Sequence, residues 1–117
     1  MPLHEVFFLV GDGGRVLHRD DGPNAGALPD SRARWEAIWQ HRDVIEEIAH
    51  SHPAGPLGFS WEDETTMRAL EDALGKPLRF SIVAPGGMVA RQNGRDERVR
   101  QEPPWAAELR RASGMIP

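Results

Sequence analysis

The segment from His50 to Asp63 constrains the fold of this chain most strongly, because it predicts a strand, a turn and a helix in that order. His50 and His52 are two residues apart, so on an extended segment their imidazoles point to the same side of the strand. The seven residues that follow include two prolines and two glycines, which cannot continue a regular strand or helix. Ser60 and Asp63 then stand one turn apart at the start of a helical pattern. The turn can therefore fold Asp63 back over the two histidines.

These side chains match the ligands of a zinc site. Two neutral imidazoles and one carboxylate make three ligands, the number that a catalytic zinc site uses while keeping its fourth position for water. The chain has no cysteine, which excludes disulfides and thiolate zinc sites, so a metal must rely on His, Asp and Glu. We predict that His50, His52 and Asp63 bind one Zn²⁺ ion. Ser60 can donate a hydrogen bond to a developing oxyanion beside that ion.

Hydrolysis at such a site also requires a carboxylate that takes a proton from water and returns it to the leaving group. Glu5 stands directly before the first apolar strand, where a carboxylate can face a metal site on a neighbouring strand. Glu36 lies on the first predicted helix, and Glu46 and Glu47 lie on the histidine strand itself. Glu46 has the parity of His50, but it is roughly 13 Å away along the strand, which is too far to share a water. We therefore favour Glu5 as the general base.

Hydrophobic periodicity and turn residues predict an alternating α/β chain. The predicted strands cover Val6–Val10, 16–18, 44–52, 78–84 and 88–90. The predicted helices begin at residues 29–31, 60 and 105, and end at residues 42–43, 74 and 111. Trp35, Ile38 and Trp39 follow an i, i+3, i+4 spacing that predicts a buried face on the first helix. The order β-β-α-β-α-β-β-α indicates a mixed sheet with helices packed on it.

Composition narrows the class of protein. A chain of 117 residues suits one domain, 1–117, and we assign residues 91–117 to a C-terminal extension of it. The net charge is -4, and acidic residues interrupt the basic cluster from Arg91 to Arg100, which favours a solvated hairpin and tail over a nucleic-acid site. No apolar run is long enough to span a membrane, and the N-terminus lacks a signal pattern. These features predict a cytoplasmic protein that does not bind a membrane.

The motif resembles that of the JAMM metalloproteases, the zinc-dependent branch of the JAB/MPN domains. Their pattern is an upstream Glu, then His-x-His, seven residues, Ser, two residues and Asp. This sequence matches it with Glu5, the run His50-Ser51-His52-Pro53, Ser60 and Asp63. The resemblance extends from about Glu5 to Val89, which is most of the chain.

The resemblance implies a fold and an activity. The fold is a single-domain, three-layer α/β structure related to the deaminases, with a mixed sheet flanked by helices. The activity is zinc-dependent hydrolysis of an amide or isopeptide bond at the C-terminal tail of a ubiquitin-like or sulfur-carrier protein, as in the small bacterial members. By this resemblance the zinc ligands are His50, His52 and Asp63, Ser60 stabilises the oxyanion, and Glu5 is the base.

Two alternatives remain open. The pattern is also similar to that of the RadC family, which is associated with nucleic acid, although Ser51 stands where those proteins usually have Asn. A non-catalytic MPN scaffold that binds partners is the other alternative, but such scaffolds typically lose zinc ligands. Ser60 and Asp63 by themselves also form the pattern of a helix N-cap with an acid in the first turn, and this structural role is compatible with catalysis.

Overall fold

The computed structural model describes residues 2–26 and 31–115. In this part of the chain, six strands form one mixed sheet in the order β2-β1-β3-β4-β5-β6. The strands are β1 (Val6–Val10), β2 (Val16–Asp21), β3 (Glu47–Ser51), β4 (Arg79–Ala84), β5 (Gly87–Gln92) and β6 (Arg95–Arg98). The α-helices are α1 (Arg32–Gln40), α2 (Trp61–Leu74) and α3 (Pro104–Ala112). The predicted α/β class is therefore confirmed.

The centre of the sheet brings the histidine strand beside the N-terminal strand. β1 pairs antiparallel with both β2 and β3, and in the second pair Phe7 lies opposite His50. β3 and β4 are parallel, because α2 carries the chain back across the sheet between them. All five residues of β1 are buried, as its continuous apolar sequence predicts.

Helices cover both faces of the sheet. On one face, Phe7, Leu9 and Ile48 pack in a cluster with side chains of α1 and α2. On the other face, Val6 and Phe8 pack with side chains of α3. The alternation of side chains along each strand produces this division, since successive residues point to opposite faces. The arrangement has three layers, and His50 lies on the α1–α2 face because it has the parity of Ile48.

The described part of the predicted C-terminal extension, residues 91–115, contributes to the same sheet and core. Asn93 and Gly94 have φ values of 53° and 76°, as a two-residue hairpin turn requires, and they join β5 to β6. The predicted hairpin is thus present, and it adds a strand to the edge of the sheet. Trp105 and Leu109 of α3 are buried against the sheet. The segment therefore completes one of the two cores.

Predictions on the first helix and on β3 differ from the structure in two respects, and one further prediction lies partly outside the described residues. The strand predicted from residue 44 begins at Glu47, because the amides of Val44 and Ile45 bond to the carbonyl of His41 and continue the turn after α1. Trp35 and Trp39 were expected in the core but are 36% and 55% exposed, although Ile38 on the same helix is buried. The helix start predicted at 29–30 lies outside the described residues, and Ser31 is the N-cap that the structure shows.

No helix within residues 2–26 and 31–115 has both the length and the apolar character needed to cross a bilayer. This agrees with the absence of a membrane-spanning run in the sequence.

Candidate metal centre

His50 and His52 meet at the carboxyl end of β3. Their Nε2 atoms are 3.1 Å apart, and their rings meet edge to face with centroids 4.8 Å apart. The predicted shared face is therefore confirmed. Two imidazole nitrogens this close repel each other through their lone pairs unless a proton or a cation lies between them.

The turn after β3 selects the tautomer of His52. Its Nδ1 lies 3.0 Å from the carbonyl oxygen of Pro56, which can only accept a hydrogen bond. Nδ1 therefore carries the proton, and the Nε2 of the neutral ring presents its lone pair toward His50. A backbone carbonyl that orients a histidine in this way is the usual outer partner of a metal-bound imidazole.

Asp63 is held against both histidines by the first turn of α2. The Ser60 hydroxyl accepts a hydrogen bond from the Asp63 amide at 3.0 Å, and the Asp63 carboxylate accepts one from the Ser60 amide at 2.8 Å. This capping box fixes the carboxylate at the helix N-terminus. Its Oδ1 lies 3.2 Å from His50 Nε2, and its Oδ2 lies 3.4 Å from His52 Nε2. Asp63 is thus both a member of the capping box and the predicted metal ligand.

The spacing of these atoms fits a small tetrahedral ion. A zinc ion with bonds of about 2.0–2.1 Å separates its ligand atoms by about 3.3–3.4 Å. His50 Nε2 and His52 Nε2 are 3.1 Å apart, Oδ1 of Asp63 lies 3.2 Å from the first nitrogen, and Oδ2 of Asp63 lies 3.4 Å from the second. Imidazole nitrogen with carboxylate oxygen is also a donor set that zinc accepts. Each histidine nitrogen therefore has the other nitrogen and one carboxylate oxygen of Asp63 at about the spacing that the predicted metal requires.

Glu5 reaches the same centre from β1. Its side chain offers an oxygen, and the ligand atoms of Glu5, His50 and His52 all lie within 4.8 Å of one another. Phe7 pairs with His50, so continuing the antiparallel register by two residues sets Glu5 opposite His52. The hairpin also holds Glu5 on its other side, since the Gly22 amide donates to its carbonyl at 2.7 Å.

The other candidate bases lie elsewhere. Glu36 is on the surface of α1, where it accepts a hydrogen bond from Arg32 at 2.9 Å. Glu46 is exposed and precedes β3. Glu47 has the opposite parity from His50, and its carboxylate bonds to Ser81 and Arg79 on β4. Among these four glutamates, only Glu5 faces the histidines.

Ser51, between the two histidines, links the centre to the opposite face of the sheet. Its hydroxyl accepts a hydrogen bond from the Val6 amide at 2.9 Å and lies 2.6 Å from the Ser113 hydroxyl. Ser113 in turn donates to the Leu109 carbonyl at 2.7 Å. Ser51 and Ser113 are both fully buried. The bond to Val6 thus holds the residue next to Glu5 against the end of β3.

Sequence reasoning did not assign this role to Ser51. The alternation of side chains along a strand could have indicated it, because a serine between two histidines that share one face must point to the opposite face, which is apolar. A hydroxyl buried there needs hydrogen-bond partners. The partner residues, 45 and 62 positions away along the chain, cannot be identified without the fold.

The charges of the centre depend on one another. Burial raises the pKa of Glu5, although the nearby histidines partly oppose the shift. Burial alone would also raise the pKa of Asp63, but hydrogen bonds to His50 and His52 hold it well below its usual range. Burial lowers the pKa of His52, yet its bonds to Asp63 and to the Pro56 carbonyl outweigh this and raise it overall. Asp63 is therefore ionised at neutral pH, as a metal ligand must be.

Arg91 connects the basic segment to the start of α2. Its guanidinium donates to Glu64 at 2.6 Å and to Asp96 at 3.0 Å, and it lies 4.7 Å from the centroid of the Phe59 ring. Phe59 precedes Ser60, so this contact supports the turn that carries the capping box. Acidic neighbours thus neutralise the first arginine of the segment, as expected for a solvated hairpin.

No protein-family model matches the sequence, and the search of curated proteins finds no match either.

Proposed function

We propose that this chain is a zinc-dependent peptidase or isopeptidase of the JAMM type, with a JAB/MPN fold. One observation carries the proposal: the Nε2 atoms of His50 and His52 lie 3.1 Å apart with a carboxylate oxygen of Asp63 within 3.4 Å of each, and an oxygen of Glu5 lies within 4.8 Å of ligand nitrogens of both rings. A zinc ion held there would lower the pKa of a coordinated water to ~7 and polarise the substrate carbonyl. Side chains of the protein would supply the proton transfer and the hydrogen bond to the oxyanion.

Glu5 acts as the general base rather than as a fourth ligand in this proposal. An oxygen of Glu5 lies within 4.8 Å of ligand nitrogens of both histidines, and the match to the JAMM motif is what supports a role as base rather than as ligand. Burial raises the pKa of Glu5, which brings it closer to the value at which a carboxyl both takes and returns a proton near neutral pH. Glu5 takes the proton of the attacking water and delivers it to the leaving amine.

Ser60 is placed to stabilise the oxyanion. Its oxygen accepts the Asp63 amide proton, and this bond leaves the hydroxyl proton free to be donated. Ser60 lines the same cavity as Glu5 and the histidines. A donor of this kind typically contributes about 10²- to 10³-fold to kcat.

The proposed substrate is the C-terminal tail of a ubiquitin-like or sulfur-carrier protein, and the resemblance of the motif to JAMM proteases is what supports it. The six-stranded sheet with helices on both faces, seen in the described residues, agrees with that family's three-layer architecture. An extended tail can add to a sheet edge through main-chain hydrogen bonds, which would present the scissile carbonyl in a defined orientation.

The decisive experiment compares the native protein with Glu5→Gln. Each protein is reconstituted with zinc, its metal content is measured by mass spectrometry, and it is incubated with ubiquitin-like and sulfur-carrier proteins extended at their C-termini by a short peptide. We expect one equivalent of zinc in both proteins, and release of the peptide by the native protein only. Glu36→Gln is the matched control, because Glu36 lies on the surface away from the centre, and it should cleave normally.

Each possible failure has a separate meaning. Normal cleavage by Glu5→Gln would show that Glu5 is not the base. Less than a tenth of an equivalent of zinc in the native protein, even after reconstitution, would favour the non-catalytic scaffold. Zinc binding without cleavage of any extended substrate would reject the substrate class and leave the metal centre in place.

A further inference from the structure

Arg34 of α1 is a positively charged side chain that lies near the candidate metal centre and has no part in the proposed chemistry. It lines the same cavity as Glu5, His50 and His52, and it is the one lysine or arginine among the described residues of that lining. Its side chain is only 11% exposed, so most of the guanidinium is removed from water. A charge in such a place needs close partners.

The partners of Arg34 include both members of one cross-strand pair. In the pairing of β1 with β2, Phe7 lies opposite Asp20, and paired side chains share one face of the sheet. Arg34 Nε donates a hydrogen bond to Asp20 Oδ2 at 2.8 Å, and the guanidinium carbon lies 5.3 Å from the centroid of the Phe7 ring. A cation within about 6 Å of a ring centroid is attracted to the face of the ring. Arg34 therefore holds α1 against both strands of the hairpin.

The same hairpin holds the backbone of Glu5. Two residues from the Phe7–Asp20 pair on each strand, Glu5 lies beside Gly22. The Gly22 amide donates to the Glu5 carbonyl at 2.7 Å, and the Glu5 amide donates to the Asn24 carbonyl at 2.9 Å. Both backbone hydrogen-bonding groups of Glu5 are thus bound to the segment that follows β2.

The end of β2 depends on side-chain contacts for its position. In the described part of the sheet β2 is an edge strand, so its outer side has no neighbouring strand to fix it. Asp21 bonds to Arg19 and lies 3.0 Å from His4, but these residues belong to β2 or precede β1 and do not join the hairpin to a helix. The ion pair of Asp20 with Arg34 does join it to a helix.

We propose that Arg34 is a positioning residue for Glu5: it holds the β1–β2 hairpin against α1 and thereby fixes the Glu5 carboxylate relative to the histidines. The inference rests on the proposed function, because it takes Glu5 as the general base. Arg34 contacts neither the substrate nor the metal in this role. A misplacement of about 1 Å can lower the rate about 100-fold. Loss of Arg34 should therefore lower kcat and leave KM unchanged.

Two variants remove the ion pair from opposite sides. Arg34→Met removes the charge and keeps a long side chain that still covers Phe7. Asp20→Asn removes the pair with little change of shape, and it serves as the second variant if Arg34→Met does not fold. Arg34→Lys keeps a cation that can pair with Asp20, so its kcat should lie between those of Arg34→Met and the native protein. Arg32→Met is the matched control, because the Arg32 side chain on the same helix is 92% exposed.

The first measurement is hydrogen exchange of the purified protein, followed by NMR at the amides of Glu5 and Gly22. The His52 amide, which donates to the Val83 carbonyl at 2.9 Å, is the internal reference for a general loss of stability. Loss of a hydrogen bond to a charged group should speed exchange at Glu5 and Gly22 by about 10-fold or more relative to His52. Arg32→Met should exchange at the native rates.

The second measurement is cleavage of the extended ubiquitin-like and sulfur-carrier proteins by the zinc-loaded variants. We expect one equivalent of zinc in each variant. For Arg34→Met and Asp20→Asn, kcat should fall about 10- to 100-fold while KM stays within about 2-fold of the native value. A purely structural role would not separate kcat from KM in this way.

Each contrary result has its own meaning. Unchanged exchange at Glu5 and Gly22 in the folded variants overturns the inference and leaves the proposed function intact. Faster exchange with native kcat also overturns it, because the hairpin contact would then not govern the base. A raised KM with native kcat overturns it as well, since Arg34 would then act on substrate binding. If the native protein cleaves none of the substrates, the proposed function fails, and the exchange rates alone decide whether Arg34 holds Glu5.

Discussion

Replacement of Ser51 by alanine tests how the fold positions Glu5. The Ser51 hydroxyl accepts a hydrogen bond from the Val6 amide at 2.9 Å, one residue beyond Phe7 and His50, where the ladder between β1 and β3 ends. The side chain thus acts in place of a strand carbonyl. Ser51→Ala removes this acceptor while leaving the histidines and Asp63 unchanged.

The expected loss of stability in Ser51→Ala follows from the burial of Ser51. Ser51 is fully buried, so no water replaces the lost acceptor of the Val6 amide. An orphaned buried donor costs about 1–3 kcal/mol. Ser113 retains its bond to the Leu109 carbonyl at 2.7 Å, so the loss is not doubled. In a chain of 117 residues, 1 kcal/mol lowers Tm by about 4 °C, and we expect a decrease of about 4–12 °C.

The assay is urea and thermal unfolding of the zinc-free protein, with hydrogen exchange at the Val6 amide. Ser113→Ala is the control, because it leaves the Val6 acceptor in place and should be less destabilising than Ser51→Ala. If the proposed function holds, Ser51→Ala should retain zinc while kcat falls, since the proposed ligands lie at the end of β3 and on α2 whereas Glu5 directly precedes β1. A loss of unfolding free energy below about 0.5 kcal/mol, or unchanged exchange at Val6, would refute the reasoning.

Three further predictions concern the metal centre and its support. Asp63→Ala should weaken zinc binding at least about 100-fold, while Glu62→Ala in the same helical turn should not; equal affinities, measured by competition with a chelator, would remove Asp63 from the ligand set. In the zinc-free protein, the lowered pKa of Asp63 contributes stability above about pH 4 that is lost as the pH falls, and the raised pKa of His52 contributes stability that is lost as the pH rises above about 6.5. The difference in unfolding free energy between the native protein and Asp63→Ala should therefore be largest between about pH 4 and pH 6.5. A difference that does not change with pH would contradict this prediction. Arg91→Met should lower the free energy of unfolding by about 1 kcal/mol, because it removes the contacts with Glu64 and the Phe59 ring. Unchanged urea unfolding would show that these contacts are not stabilising.

Local patterns predicted the elements whose causes are local. The apolar run of β1 and the glycine that ends α2 at Gly75, where φ is 66°, appear as expected. Predictions failed where distant contacts decide. Because the turn after α1 continues past residue 44, β3 begins only at Glu47. Trp39 is exposed although it belongs to the same i, i+3, i+4 pattern as buried Ile38. A spacing pattern states which residues share a face, but the packing partners decide how wide the buried part of that face is.

The sequence by itself determined that His50, His52 and Asp63 meet, because two histidines on one side of a strand, a turn and a capped helix place those groups together through local geometry. Only the tertiary structure decided which glutamate joins them. Glu5 is brought to His52 by the antiparallel pairing of β1 with β3, and the hydroxyl of Ser51 secures that pairing from the opposite face. Strand pairing between distant segments depends on the whole sheet and its two cores, which local sequence patterns do not specify.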